Sequence, residues 1–443
     1  MKRNLYICIE IKSREYDSQI LLAGYAATRG YRVYLGTHAA IYALLRNKKK
    51  IDGILLDKST QPRERMLWLR TKVEQYCILD AELSPVLIES VARKEFPTRI
   101  YEGTIELIDK YFVIGPAIAN VAKEFFKDHS HTVITTGWPR VDVWSNFGKS
   151  IYANEAKKIK LMYGEFLLLV SSFGQIRHPD ETKNLRTADV VRNAELNSSA
   201  RKFEQYQNFK HVISMIQKLD ADSDVPAIVV RPHPSESVSV WRKELKNLKK
   251  TFVVQDGDVS PWVFASKGLI HNGSTTSIQA HFAGKKAIML NELTSESYVP
   301  VPEALSQYLL TVNSRSMSSD FSGLEVNPLY NPTFLDTLVH MPPHGAIDSV
   351  LNEVDDLSVT SSVPAKRLFV VFSQLKLRSL KRGLGLVRDE IFWKLGLINI
   401  TPQLHVVPGG LDRKRIRIVL STVNSLAEVR CRKMSLNLWE FER

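Results

Sequence analysis

The chain has 443 residues and a formal net charge of +13, with 44% hydrophobic and 24% charged residues. Those fractions are those of an ordinary globular protein and exclude a disordered or collagen-like chain. The length predicts two domains, because single cores stop growing near ~250–300 residues. Cys8, Cys77 and Cys431 are the three cysteines, too few and too scattered for a disulfide framework or a zinc site.

The charge is uneven. From Ser361 to Arg443 sixteen Lys or Arg face six Asp or Glu, so +10 of the excess lies in the tail and +3 in everything before it. Such a tail suits an anionic membrane surface or a polyanionic substrate. No recognition-helix or aromatic-basic strand motif accompanies it, so nucleic acid is not an expected partner. Leu5 to Ile9 imitates a signal peptide until Glu10, Lys12, Arg14 and Glu15 end the apolar run, and no stretch approaches the ~18 apolar residues of a spanning helix. The expectation is a cytoplasmic protein that meets the inner face of the membrane from the side.

In chain order, Leu5 to Glu10 reads as a strand, Tyr16 to Arg29 as a helix ending at Gly30, and Tyr31 to Gly36 as the next strand. This βαβ start lacks a Gly-rich dinucleotide fingerprint and carries Ile11-Lys12-Ser13-Arg14-Glu15-Tyr16-Asp17 in its loop, so NAD and FAD are not expected. Further strands are predicted at Ile51 to Leu56, Tyr76 to Leu79 and Tyr111 to Gly115, with helices at Arg63 to Val73, Ser84 to Phe96 and Ala117 to Phe126, and Thr132 to Asp142 closes the half as a strand followed by a turn at Gly137 and Pro139. A boundary follows near Ser145 to Tyr152.

A second start comes at Phe166 to Val170, followed by a long helix from Ser199 to Leu219. Ala227 to Val230 is then a buried strand stopped by Arg231-Pro232-His233-Pro234, since neither proline can donate to a ladder. Leu269-Ile270 ends another strand, and His271-Asn272-Gly273 turns into Ser274-Thr275-Thr276-Ser277, where a helix starts. Hydroxyls and free amides at a helix start suit a phosphate. Ala287 to Leu290 is a strand, Glu303 to Leu309 a helix, and the run beyond Asp356 a linker leading to basic helices from Leu368 to Leu397 and a basic element at Arg413 to Ser421.

Repeated β-then-α units on both sides of a hinge predict an α/β, GT-B-like chain of two Rossmann-like domains facing a cleft. The expected spans are 1–147 for the acceptor and catalytic domain, 148–355 for the nucleotide-donor domain and 356–443 for a basic C-terminal extension. Glycosyl transfer needs a carboxylate at the reacting carbon or acceptor hydroxyl, and donors at the departing phosphate. The first domain offers Glu15, Asp17, Asp80 and Glu82; Arg14 of the first domain, with Arg231, His233, His271, Ser274, Thr275 and Thr276 of the second, suits the donor. No Asp-x-Asp or His/Cys/Asp run suggests a metal, so neither metal nor cofactor is expected.

Glu10 to Asp17, Gly30-Tyr31-Arg32-Val33, Asp80-Ala81-Glu82, Thr136 to Asp142, Arg231 to Glu236, Pro261-Trp262 and His271 to Thr276 together resemble the bacterial surface carbohydrate biosynthesis proteins. That GT-B-like family is related to capsule Kdo transferases and, more distantly, to CMP-sialic acid transferases and CDP-glycerol glycerophosphotransferases. The resemblance covers about residues 5 to 300. It implies that His233, Ser274 and Thr275 bind a cytidine nucleotide and its phosphate, and that Asp80 or Glu82 is catalytic. Two positions depart from the pattern: Asp80-Ala81-Glu82-Leu83 replaces a more acidic motif ending in glycine, and Gln279 stands where a Glu is expected. The implied activity is transfer from a CMP-activated sugar such as CMP-Kdo to a glycan or lipid-linked acceptor of capsule or O-antigen. A CDP-glycerol-type polyol phosphate transferase, a nucleotide-sugar epimerase and a non-catalytic assembly scaffold are the alternatives.

Overall fold

The computed structural model describes residues 3–48, 51–81, 89–173, 199–233, 236–255, 257–290, 303–310, 321, 323–357, 407, 410–435 and 437–443. They form two compact units, residues 1–147 with 336–443, and residues 148–335.

The first unit holds β1 (Asn4–Ile9), β2 (Arg32–Thr37), β3 (Ile54–Asp57), β4 (Gln75–Asp80), β5 (Lys110–Val113) and β6 (Val133–Thr135), joined by β14 (Arg430–Ser435) and β15 (Leu438–Glu442) from the end of the chain. The order is β14-β15-β2-β1-β3-β4-β5-β6. β1 to β6 pair in parallel. Leu5 to Ile9, Ile54 to Leu56 and Tyr76 to Leu79 are buried without alternation, as a sheet covered on both faces requires. Helix α1 (Lys12–Thr28) starts earlier than its apolar spacing predicts, so Arg14 and Glu15 lie on the helix along with Asp17. Helix α2 (His38–Arg46), which the sequence reading passes over, connects β2 toward β3.

The end of the chain is built into this unit. β15 pairs antiparallel with β2, and its Trp439 and Phe441 are 1% and 0% exposed. The helix Arg413–Thr422 turns Ile416, Val419 and Leu420 inward and Arg413, Lys414 and Arg417 outward. At Gly24 of α1 an added Cβ would sit 2.9 Å from Leu426 Cδ1, so the absent side chain lets the tail pack close. The helix Ala346–Asp355 also belongs here: Asp142 accepts amides of Ala346 (3.1 Å) and Ile347 (2.8 Å), and Arg29 pairs with Asp348 and Asp355. The expected cut at 355 is therefore displaced to 335. Sequence order suggests a tail appended after the second domain; pairing with β2 and helix α1 returns it to the first.

The second unit holds β7 (Phe166–Val170), β8 (Ala227–Arg231), β9 (Thr251–Val253), β10 (Gly268–His271), β11 (Lys286–Leu290), β12 (Tyr308–Leu310) and β13 (Glu325–Val326). The order is β13-β12-β11-β10-β7-β8-β9, parallel except for β13. Residues Tyr308 to Leu310 are a strand where a helix is expected, because pairing with β11 overrides local propensity. The predicted basic helices between Leu368 and Leu397 lie outside the described residues. The fold class is that of two Rossmann-like α/β domains, as the alternation of elements predicts.

Candidate functional site

Open α/β sheets bind ligands beyond the carboxyl ends of the strands, where the strand order reverses. In the second unit the chain runs β7-β8-β9 to one side and then crosses to β10-β11-β12 on the other, so the crossing point lies between β7 and β10. Val170 stands in register with His271 on one flank and Arg231 on the other. The loops after these three strands therefore open side by side.

Glu236 ties two of them together. It is 6% exposed and accepts from Ser171 Oγ (2.6 Å), the Phe173 amide (2.6 Å) and Trp241 Nε1 (2.9 Å). Burial pushes its carboxyl up, against those three donors. The His233 amide donates to Ser171 Oγ at 3.2 Å, and Gln255 Nε2 donates to the His233 carbonyl at 2.9 Å. With its backbone pinned, the His233 side chain is left exposed, as are Ser172 after β7 and Thr275 after β10.

Arg231 and His271 fall on the other side of that division. Arg231 Nη2 donates to the carbonyls of Gln255 (3.2 Å) and Gly257 (2.8 Å), and its guanidinium stacks over Trp262 at 5.0 Å. It shapes the loop after β9. His271 is wholly buried: Nδ1 accepts from the Gly273 amide at 3.1 Å, which leaves the proton on Nε2 to reach Ser306 Oγ at 2.8 Å. Burial pulls its imidazole down to about 3, so it is a neutral brace of the turn.

The turn itself differs from the expected row of free amides. Thr276 N donates to Ser274 Oγ (3.3 Å), Ser277 N to the Ser274 carbonyl (3.1 Å) and Ile278 N to the Thr275 carbonyl (3.1 Å). The helix Thr276–Phe282 has only seven residues. What is left unsatisfied is side-chain chemistry: Asn272 Oδ1, Ser277 Oγ and Gln279 Nε2 are buried without a hydrogen-bond partner among the described residues. Such groups cost about 1–3 kcal/mol each until something bonds them. Gly273, at φ +92°, is in the left-handed region the turn requires.

In the first unit β1-β2 and β3-β4-β5-β6 run to opposite sides, placing the crossing point at β1 and β3. The described carboxylates predicted from sequence are each held there or nearby by a cation. Glu15 Oε1 accepts the amides of Glu10 (2.6 Å) and Ile11 (2.8 Å), and its Oε2 meets Lys58 Nζ at 2.7 Å. Asp17 forms a two-pronged pair with Arg415 at 2.6 and 2.5 Å, and Asp80 accepts from Arg99 and, at 2.7 Å, Tyr111 Oη. Arg14 is exposed on α1, and Glu82 lies outside the described residues.

The titratable group that the sequence reading missed is His38, the first residue of α2. Its Nε2 is 2.6 Å from Asp57 Oδ1, while Asp57 also accepts from Lys58 N (2.8 Å), Tyr42 Oη (2.6 Å) and Tyr76 Oη (2.9 Å). Burial pushes the Asp57 carboxyl up, but His38, Tyr42 and the Lys58 amide outweigh it and hold the group below the usual carboxylate range. Cys8, His38 and Asp57 also place one ligand atom each within 4.8 Å of one another, a cluster that no local motif reveals. Its chemistry is that of a hydrogen-bond network, because both oxygens of Asp57 are occupied by donors, and burial with Asp57 beside it holds the Cys8 thiol protonated.

The fold and its two crossing points define an α/β protein with the strand arrangement of nucleotide-handling domains. No family model and no curated protein matches the chain. Among solved structures it is similar to the S. aureus MnaA–UDP complex, at 14% identity over 91% of this chain and 99% of that one, TM-score 0.39. It is similar to the UDP-GlcNAc 2-epimerase of Methanocaldococcus jannaschii in complex with UDP-GlcNAc and UDP, at 12% identity over 80% and 99%, TM-score 0.43. The wall teichoic acid polymerase TagF is similar at 9% identity over 80% and 88%, TM-score 0.43.

Proposed function

We propose that the chain is a nucleotide-sugar enzyme of bacterial surface polysaccharide assembly, transferring sugar from a CMP-activated donor such as CMP-Kdo to a glycan or lipid-linked acceptor. The observation that carries this reading is the crossing point of the second unit. There Ser172, His233 and Thr275 are exposed at the ends of three adjacent strands, beside the unsatisfied Asn272, Ser277 and Gln279. An imidazole and two hydroxyls suit the phosphate of a nucleotide, and buried amide and hydroxyl groups suit the base or ribose. A monophosphate leaving group carries less charge than a diphosphate, so side-chain donors without a metal suffice for it. Outward Arg413, Lys414 and Arg417, with Arg430, Arg432 and Lys433 of β14, support docking of the first unit on an anionic membrane surface.

Calorimetric titration of CMP, CDP, UMP, UDP and GDP into the full chain tests the reading, with His233→Ala beside it. Selective CMP binding, weakened about tenfold in the variant, is the expected result, the loss of one charge-assisted hydrogen bond. Preference for CDP replaces the donor with a polyol-phosphate one, preference for UDP makes the chain an epimerase, and absence of binding by every nucleotide leaves a scaffold.

A further inference from the structure

We propose that His38 is a catalytic proton acceptor for a substrate hydroxyl at the crossing point of the first unit, with Asp57 as its positioning residue. The inference rests on the nucleotide-sugar reading for its reaction class and on geometry for the residue. Asp57 ends β3 and His38 follows β2, so the pair brackets β1 at the carboxyl edge where the strand order reverses.

The geometry assigns the tautomer. Asp57 is wholly buried and receives hydrogen bonds on both oxygens, so it is a fixed acceptor that takes the Nε2 proton of His38. The lone pair is then on Nδ1, which none of the described residues bonds, and the side chain is 25% exposed. A buried carboxylate that orients an imidazole and stabilises its protonated form is the arrangement of an acid–base dyad. The three described carboxylates offered by the sequence are instead engaged by Lys58, Arg415 and Arg99.

The step balances without a co-reactant. The hydroxyl proton passes to Nδ1 as its oxygen bonds the donor carbon, and the carbon–oxygen bond to phosphate breaks with its electron pair leaving on the nucleotide. The groups around the His38–Asp57 pair are Cys8 of β1 and Glu10 of the loop after it, Glu15 of α1, Tyr42 of α2, Tyr76 of β4 and Lys58, which follows β3. Burial pulls the imidazole down, but the charge and hydrogen bond of Asp57, then Glu10 and Glu15, outweigh it and leave it above its ordinary value. A base must be unprotonated, so turnover rises with pH through that raised value.

Release of CMP, CDP and UDP from their sugar nucleotides, with water as the hydroxyl, is measured on the full chain, His38→Gln and Asp57→Asn, beside nucleotide binding. The expected result is a fall of about 10²- to 10⁴-fold in kcat for His38→Gln at unchanged nucleotide affinity. For Asp57→Asn it is a smaller fall with the acid limb of the pH profile moved down. Equal turnover by wild type and His38→Gln overturns the proposal and leaves the nucleotide reading intact. Should the wild type release nothing, the reaction class falls, and His38 is judged by diethyl pyrocarbonate modification mapped by mass spectrometry. Reaction of His38, with an acid limb above that of an ordinary histidine and lowered in Asp57→Asn, supports the base; an unreactive His38 overturns it.

Discussion

The two crossing points stand in the same place on two similar sheets and are furnished oppositely. At β1 and β3 the polar groups are charged and mutually satisfied: Glu15 with Lys58, and Asp57 with His38 and two phenols. At β7 and β10 they are neutral, and several lack partners: a deprotonated His271 braces a turn beside unsatisfied Asn272, Ser277 and Gln279. A network of ion pairs around a buried carboxylate fixes an imidazole in one tautomer; a neutral, underbonded one leaves donors and acceptors that a ligand can satisfy.

The largest test of this contrast is Asp57→Ala. It strands Tyr42, Tyr76 and the Lys58 amide in a buried network, at about 1–3 kcal/mol each. Loss of about 4 kcal/mol or more in urea unfolding is expected; a loss under ~1 kcal/mol would mean that the network is relaxed and not saturated.

The neutral side has an acid signature of similar size. His271 is depressed to about 3 in the fold, so its stabilisation is complete above the unfolded value near ~6.5 and is lost as pH falls toward 3. The full span is on the order of 5 kcal/mol. His271→Gln lowers stability at neutral pH and flattens that acid slope; an unchanged slope assigns it to other groups.

Asp142, in the first unit, runs the other way. Burial raises its carboxyl to about 6 despite the two amides it accepts, so its stabilisation is present below the unfolded value near ~4 and is lost as pH rises through 6. Unfolding free energies of wild type and Asp142→Asn should diverge across that window by about 3 kcal/mol, the wild type losing more as pH rises.

Smaller effects separate the tail from the sites. Arg415→Met leaves the carboxylate of Asp17, 11% exposed, without its two-pronged partner and should cost about 2 kcal/mol, read by thermal unfolding. Ser274→Ala removes a hydroxyl that bonds only Thr276 among the described residues. It should leave unfolding within ~0.5 kcal/mol and weaken nucleotide binding about tenfold, whereas a stability loss alone would make Ser274 a turn residue.

Local pattern carried much of the architecture. Apolar runs located ten strands of the two sheets' parallel portions, and Pro232, Gly273 and the hydroxyl run after it marked where β8 and β10 end and loops begin. The position of His233 just past β8 was legible because the flanking prolines cannot continue a strand. His38 was not, because nothing beside it in sequence announces a partner: Asp57 lies nineteen residues on and meets it only when β2 and β3 flank β1. The partners of Asp17 and Asp80, and Ser171 and Phe173 as partners of Glu236, were hidden for the same reason.

What the sequence by itself determined is therefore the α/β alternation, the two starts and the loops that open at strand ends, since these follow from periodicity and from residues that cannot continue a strand. Tertiary structure alone decided that the chain end completes the first sheet, that β12 is a strand, that His271 and Arg231 are braces, and that His38 faces Asp57. Pairing register and burial are sums over distant neighbours, and no local window contains them.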